Sequence, residues 1–277
     1  MTSLRRILWL LRAWLRTRGI LPPEVLPAGV RLTTYNIGRG ARGDRGARST
    51  TLDRVAATIA AERPDVVALQ ELHEPDLPVI VDALRRDHDL EYHATFGTAL
   101  TAEAMAALVE RARVRPGFDE AFYADRASAF GVAVLSRTPL HDVRVEDLPG
   151  AGERRIALVA RTTLAGQGST VIATHLATRS KAAVRDEQTR AVLALAAAVR
   201  GPVVVAGDLN QEPADVAATL ATSHAALAAA TDPDVPTLGR RTIDHVLVGP
   251  GVVGRGAKVG DAGVSDHRPV TVALSVG

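Results

Sequence analysis

Eight polar side chains, Asn36, Glu71, His175, Asp208, Asn210, Asp244, Asp266 and His267, fall at or just beyond the ends of short apolar runs. The most informative run is PVVVAGDLNQEP, residues 202–213. Val203 to Ala206 is a β-branched run bounded by Gly201-Pro202 and Gly207, which predicts a strand buried on both faces. Side chains two apart on an extended segment point the same way, so Asp208 and Asn210 are expected to project together. A carboxylate that accepts a proton then stands beside an amide that donates to an anionic oxygen. Taken alone, Asp-x-Asn is better read as an Asx turn closing the strand. The run DVVALQE, residues 65–71, repeats the plan and ends in Glu71. A glutamate ending a doubly buried strand needs compensation, which a divalent cation supplies, although an isolated glutamate is by default hydrogen-bonded or exposed. His175 closes a further strand, where a lone histidine is usually structural.

The 277 residues are 47% hydrophobic and 23% charged, enough for one large layered domain or two small ones. With no cysteine, disulfides and thiolate metal sites are excluded. Any metal must sit on oxygen or imidazole, which points to hard ions such as magnesium, manganese or calcium. The compartment stays open, with a cytoplasmic or membrane-peripheral placement favoured over secretion. Residues 1–20 carry Arg5, Arg6, Arg12, Arg16 and Arg18 and no acid; taking these five charges from the net +2 leaves −3 for the remainder. A slightly acidic body does not announce a nucleic-acid binder.

Within residues 4–18, Leu4, Ile7, Leu8, Leu11, Trp14 and Leu15 follow helical spacing with arginines on another face. The apolar run is far shorter than the ~20 residues that span a bilayer. An interfacial membrane anchor and a helix docked on the body, or an unstructured start, are equally compatible with it. Pro22, Pro23 and Pro27 make residues 21–29 a stiff connector, and residues 30–277 are expected to form the body.

In that body, strands are expected at Val30 to Tyr35, Asp65 to Glu71, Glu91 to Phe96, Gly131 to Leu135, Ile156 to Thr163, Thr170 to Thr174, Thr242 to Val248 and Val270 to Leu274. Helices are expected at Leu52 to Ala61, 76–90, Thr101 to Arg113, a long one capped by Ser180 and ending near Val199, and Asp215 to Ala230. Asp244 and His245 should face opposite ways on their strand. The loop after Asn36 carries Arg39, Arg42, Arg45 and Arg48 against Asp44 and either steers phosphates or is simply solvated. Arg155 invites phosphate binding too, although an arginine entering an edge strand is more often solvated.

The ordered motifs YN (35–36), LQE (69–71), THL (174–176), GDLN (207–210), IDH (243–245) and SDHRPV (265–270) resemble the endonuclease/exonuclease/phosphatase superfamily from about Val30 to Leu274. The resemblance implies an α/β four-layer sandwich, two central mixed β-sheets packed face to face with helices outside, and a metal-dependent phosphoester hydrolase. It implies Glu71, with Asn36 and Asp266, as ligands of Mg2+, with Mn2+ an alternative. Asp208 is implied to activate water, Asn210 to hold that water or the phosphate, His267 to bind phosphate with Asp244 fixing its tautomer, and His175 to act as clamp or general acid. Asn36 and Arg155 are the expected substrate contacts. The chain departs from apurinic endonucleases, which place a second acid two residues after the asparagine, where Gly38 stands here. In this it is closer to the deoxyribonuclease and sphingomyelinase-like branches. Tyr92, His93 and Tyr123, in or near the 98–129 insertion, are weak candidates for an additional catalytic group.

Fold and chemistry leave the ester open. A nuclease-type phosphodiesterase gains from the arginine loop and loses from the acidic body and scarce aromatics. A phospholipid head-group or inositol phosphate phosphodiesterase gains from residues 4–18 if they meet a membrane. A non-catalytic phosphate or partner binder is the minor alternative, since none of the metal or water-handling residues is lost.

Overall fold

A computed structural model of the protein describes residues 29–38, 48–114, 118, 126–223 and 225–277, with residues 48–50 described as backbone only. The N-terminal segment, most of its connector, Arg39, Arg42, Arg45 and Tyr123 lie outside the described residues. Among the described residues, no helix is long and apolar enough to cross a membrane.

The chain runs β1 (Val30–Asn36), α1 (Arg48–Ala60), β2 (Val66–His73), α2 (Asp76–His88), β3 (His93–Leu100), α3 (Ala102–Arg113) and β4 (Phe130–Ser136). It continues through β5 (His141–Asp147), β6 (Ile156–Leu164), β7 (Gln167–His175), α4 (Ala182–Ala197), β8 (Val203–Asp208) and α5 (Pro213–Thr222). Four strands complete it: β9 (Ala228–Ala229), β10 (Asp244–Val248), β11 (Val252–Val259) and β12 (Val270–Val276). Two six-stranded sheets result, ordered β11-β12-β1-β2-β4-β3 and β5-β6-β7-β8-β10-β9. Both are mixed: β1 with β2 and β7 with β8 are parallel, and the remaining pairs are antiparallel.

Pleating decides the layers. Alternate residues of the central strands, such as Leu32, Ala68, Val134, Leu158, Val171, Val204, Val246 and Val272, meet between the sheets in one core. Their neighbours point outward: Tyr35, Val67 and Leu69 pack under Val55, Ile59, Ile80 and Leu84 of α1 and α2. On the other side Ile172, Val203 and Val205 pack under Val192, Leu193 and Val216 of α4 and α5. This is the expected four-layer α/β sandwich, and strands apolar on both faces are what it demands.

Several elements differ from the sequence expectation. Strands β5 and β11 are largely exposed, so neither shows an apolar run. Helix α5 stops at Thr222 instead of Ala230, and Ala228–Ala229 pairs with Leu247 and Val248 as β9. Ser180 sits in a short 3-10 turn, and α4 begins after Lys181 with no side-chain cap.

Candidate active site

The sheet registers assemble the site. In the second sheet His175 of β7 and Asp244 of β10 are each the direct partner of Asp208 on β8, so three polar side chains stand in one row. A side chain at Gly207 would run into the Thr174 carbonyl, so the preceding glycine lets β7 and β8 approach closely just before that row. In the first sheet the β1–β2 pairing ends at Asn36 opposite Gln70, with Glu71 one residue beyond. Glu71 occupies a β-bulge between Gln70 and Leu72, at φ +55°, which turns a partly exposed carboxylate toward Asn36. His267 arrives on the loop before β12, bridged to Leu238.

Asn36 joins the two sheets. Its Oδ1 accepts from the Gly38 amide at 3.0 Å, which leaves Nδ2 to donate to Asp208 Oδ2 at 3.0 Å and Glu71 Oε1 at 3.4 Å. Asp208 is 2% exposed, and its Oδ1 accepts from the Asn210 amide at 2.8 Å. Both readings of Asp-x-Asn therefore hold: the strand closes in an Asx turn, and both residues join the site. The mechanism differs from simple alternation, because Asn210 lies at φ +52° and swings its amide to the Leu176 carbonyl at 3.1 Å and to His175 Nε2 at 3.3 Å.

Asp244, fully buried, accepts from His267 Nδ1 at 2.9 and 3.2 Å, and its backbone N–H donates to Thr237 Oγ1 at 3.2 Å. His267 Nε2 thereby faces Asp208 Oδ2 at 3.8 Å, and His175 Nε2 faces the same oxygen at 3.5 Å. Asp244 and His245 do face opposite ways, His245 Nε2 donating to the Gln211 carbonyl at 2.8 Å. Burial, reinforced by the Asp244 charge, pushes the Asp208 carboxyl up to about 7 against the opposing pull of His267. Burial works against charge on His267, but the Asp244 hydrogen bond and the charges of Asp244, Asp208 and Asp266 outweigh it and hold the ring at about 9. The site thus pairs an imidazolium with a carboxyl poised near neutrality.

Ligating atoms of Asp208, Asp244 and His267 lie within 4.8 Å of one another. With His267 Nδ1 on Asp244 Oδ2 at 2.9 Å, that group is also an acid–base unit. The oxygen donors suited to a hard divalent ion lie beside it. Glu71 touches Asn36, Asn36 holds the Gly38 amide, and Asp266 Oδ1, on an exposed residue, lies 3.1 Å from where a Gly38 Cβ would stand. The donor chemistry of these three residues fits magnesium or manganese.

Gly38 also explains the departure from the apurinic endonuclease pattern. Its φ is +60°, and a Cβ there would press on Ser265 Oγ at 3.0 Å and Asp266 Oδ1 at 3.1 Å, so an acid would crowd Asp266. Gly38→Ala is expected to cost at least about 1–2 kcal/mol, the left-handed penalty, in a denaturant unfolding titration. A loss below about 0.5 kcal/mol would contradict this account.

Not every candidate reaches the site. Tyr92 donates to the Pro64 carbonyl, before β2 begins, and His93 pairs with Ser136, so both lie at the opposite end of the strands. Arg155 lies beside the His175 end of β7, since Ala157 pairs with Thr174, and is buried there with Nη2 on Glu153 Oε1 at 3.2 Å. The sequence reading missed Ser265, whose Oγ donates to the Asn36 carbonyl at 2.7 Å and accepts from the His267 amide at 3.0 Å, locking the histidine loop onto β1. The only signal was its place in SDHRPV.

A family model described as "Endonuclease/Exonuclease/phosphatase family" matches residues 33–267. Among solved structures, an endonuclease/exonuclease/phosphatase from Beutenbergia cavernae aligns with TM-score 0.69 and 27% identity over 90% of this chain and 72% of that one. D. rerio TDP2 complexed with a single-strand DNA product aligns with TM-score 0.65 and 17% identity over 90% and 100% of the two chains. A mannosyl-6-phosphatase of Bacteroides thetaiotaomicron aligns with TM-score 0.60 and 18% identity over 89% and 99%. The last two likenesses are of fold alone. No curated protein matches the chain. With the family model covering most of its length and the sandwich and strand-end motifs in place, the chain belongs to the endonuclease/exonuclease/phosphatase family.

Proposed function

We propose that the protein is a divalent-metal-dependent phosphodiesterase of nuclease type that hydrolyses its ester by attack of water at phosphorus. The observation that carries this reading is Asp208, pinned by Asn36 and Asn210, flanked by two imidazoles and raised to about 7. A carboxylate in that state takes a proton from water at neutral pH, while its two donors fix its lone pairs. Asn210 and His175, which adjoin Asp208, would hold the attacking water or a phosphoryl oxygen. His267, kept cationic by Asp244, donates Nε2–H to a phosphoryl oxygen as negative charge builds there. Glu71, Asn36 and Asp266 would hold the ion. When bound, Mg2+ or Mn2+ would draw charge from a phosphoryl oxygen and steady the leaving group.

The preference for a polyanionic substrate is supported by Arg179 and Lys181, both exposed just beyond His175, together with the arginines of the loop after Asn36 in the sequence. That a fold neighbour was solved with a single-strand DNA product is consistent with it. Assays of plasmid DNA, RNA, sphingomyelin and inositol phosphates with Mg2+ test the reading, with cleavage of nucleic acid the expected result. Hydrolysis of lipid head groups alone would replace it with the membrane-surface phosphodiesterase.

Removing the ion's expected anchor gives a separate check. Glu71→Gln should raise the Mg2+ concentration for half-maximal activity at least about tenfold. An unaltered metal titration would remove Glu71 from that role.

A further inference from the structure

The segment TRSKAAVR, residues 178–185, leads into α4 with three cations and no acid. This is the reverse of what a helix N-terminus ordinarily selects, since its unsatisfied N–H groups and the positive end of its dipole favour acids and capping oxygens. Helix α4, 16 residues long, has no acid in its first turn, and Lys181 at its cap contributes no side-chain hydrogen bond. The same arrangement suits an anion from outside the chain.

A second observation points the same way. Arg185 is 6% exposed, and its Nε and Nη1 are buried without a hydrogen-bond partner. Burying a guanidinium unpaired is costly, so a position like this calls for a counter-charge. Arg185 stands at the fourth position of α4 on its buried face, with Gln188 and Thr189 one turn on, and helical side chains tilt back toward the N-terminus. The first turn belongs to the catalytic end of the molecule. Ala177 N–H donates to Gln188 Oε1, Gln211 Nε2 donates to Asp186 Oδ1, and Leu176 takes the Asn210 amide, so α4 and the loops carrying His175 and Asn210 form one unit.

We infer that the N-terminus of α4, with Arg185 on its buried face and Lys181 at its mouth, binds a tetrahedral oxyanion: a phosphate group other than the one being cleaved. If that phosphate belongs to the substrate, the inference rests on the phosphodiesterase reading above and makes the preferred ester one with a second phosphate along the chain. If it is free phosphate, the site stands without that reading.

The test is calorimetric titration of the full-length protein with inorganic phosphate in a His267→Ala background, which removes the expected phosphate contact of the catalytic site. Binding should persist there and weaken at least tenfold when either Arg185→Gln or Ala183→Glu is added. The second change places a carboxylate on an exposed position of the first turn and leaves the buried arginine in place, so it reads the site even if Arg185→Gln folds poorly. No phosphate binding in His267→Ala, or equal binding in both double variants, overturns the inference. A kinetic arm then identifies the source. A tenfold fall, on Arg185→Gln, in the ratio of kcat/KM for a 5′-phosphorylated dinucleotide to that for bis(4-nitrophenyl) phosphate assigns the site to a substrate phosphate. An unchanged ratio with the calorimetric loss assigns it to free phosphate. A protein that hydrolyses neither ester loses the phosphodiesterase reading and leaves the calorimetric result standing.

Discussion

Replacing Asp208 by asparagine is expected to lower kcat about a thousandfold, within the range general bases supply, and to remove the acidic limb of the pH–rate profile. On the proposed mechanism the Asp208 carboxyl takes the proton from water, and it does so only when ionised. Activity of the native protein should therefore rise with pH through about 7, the value to which burial and Asp244 push it. An asparagine keeps the shape but cannot serve both donors. One amide oxygen can accept from the Asn210 amide or from Asn36 Nδ2, and the other position becomes a donor facing a donor. The lost hydrogen bond costs about 1 kcal/mol. It is offset because the variant no longer buries a second carboxylate opposite Asp244. The sign of the pH-dependent part follows from linkage. The unfolded carboxyl releases its proton near 3.8 and the folded one near 7, so between those values the folded state holds more protons and stability falls as pH rises. Asp208→Asn should lack that slope in thermal unfolding between pH 4 and 7. A variant that folds, loses the slope and still turns over at the native rate would remove Asp208 from the chemistry and favour a member that only binds phosphate.

The features that were legible in the sequence share one physical cause. A strand buried on both faces must be an uninterrupted apolar run, so Val203 to Ala206 and Val66 to Leu69 stand out, and the polar residue that ends each is conspicuous by contrast. That is why Asp208 and Glu71 were visible as strand ends, whereas Asn36 follows a run that reads as a strand by alternation. Exposed elements gave no such contrast. The strand HDVRVED is held by backbone pairing to β6 with most side chains in solvent, and its alternation encodes no buried face. The alanines after Thr222 have high helix propensity, yet pairing of Ala228 and Ala229 with β10 prevails over it. Within the site, what the sequence concealed was conformation. The left-handed backbone of Asn210 and the bulge at Glu71 depend on partners 34 or more residues away, and Ser265 works through a contact with Asn36 that only the packing of the two chain ends creates. The buried Nε and Nη1 of Arg185 were hidden for the same reason, since an arginine on a helix reads as solvated until the layer beneath it is known.

The His267–Asp244 pair gives the second large effect, and its pH dependence separates a chemical role from a packing one. His267→Ala is expected to lower kcat about 10²–10³-fold, the loss that follows removal of one preorganised donor to a developing oxyanion. Packing alone would not predict the accompanying change in profile. The native ring stays charged to about 9, so activity should fall as pH rises through that value, and the limb should be absent from the residual activity of His267→Gln. Asp244→Asn keeps the hydrogen-bond geometry within reach but removes the charge that opposes desolvation of the ring. The imidazole pKa must then move down, and the alkaline limb should move to lower pH with it. Stability follows the same sign. A histidine held above its unfolded value near 6.5 contributes fully below that pH and loses the contribution as pH rises toward 9, so the native protein should weaken across this window while His267→Gln stays flat. If Asp244→Asn leaves the alkaline limb in place while His267→Ala abolishes activity, the ring acts without its carboxylate partner. If His267→Ala turns over at the native rate, the imidazolium is a structural counter-ion for two buried carboxylates, and stabilisation of the phosphoryl charge must come from elsewhere in the site.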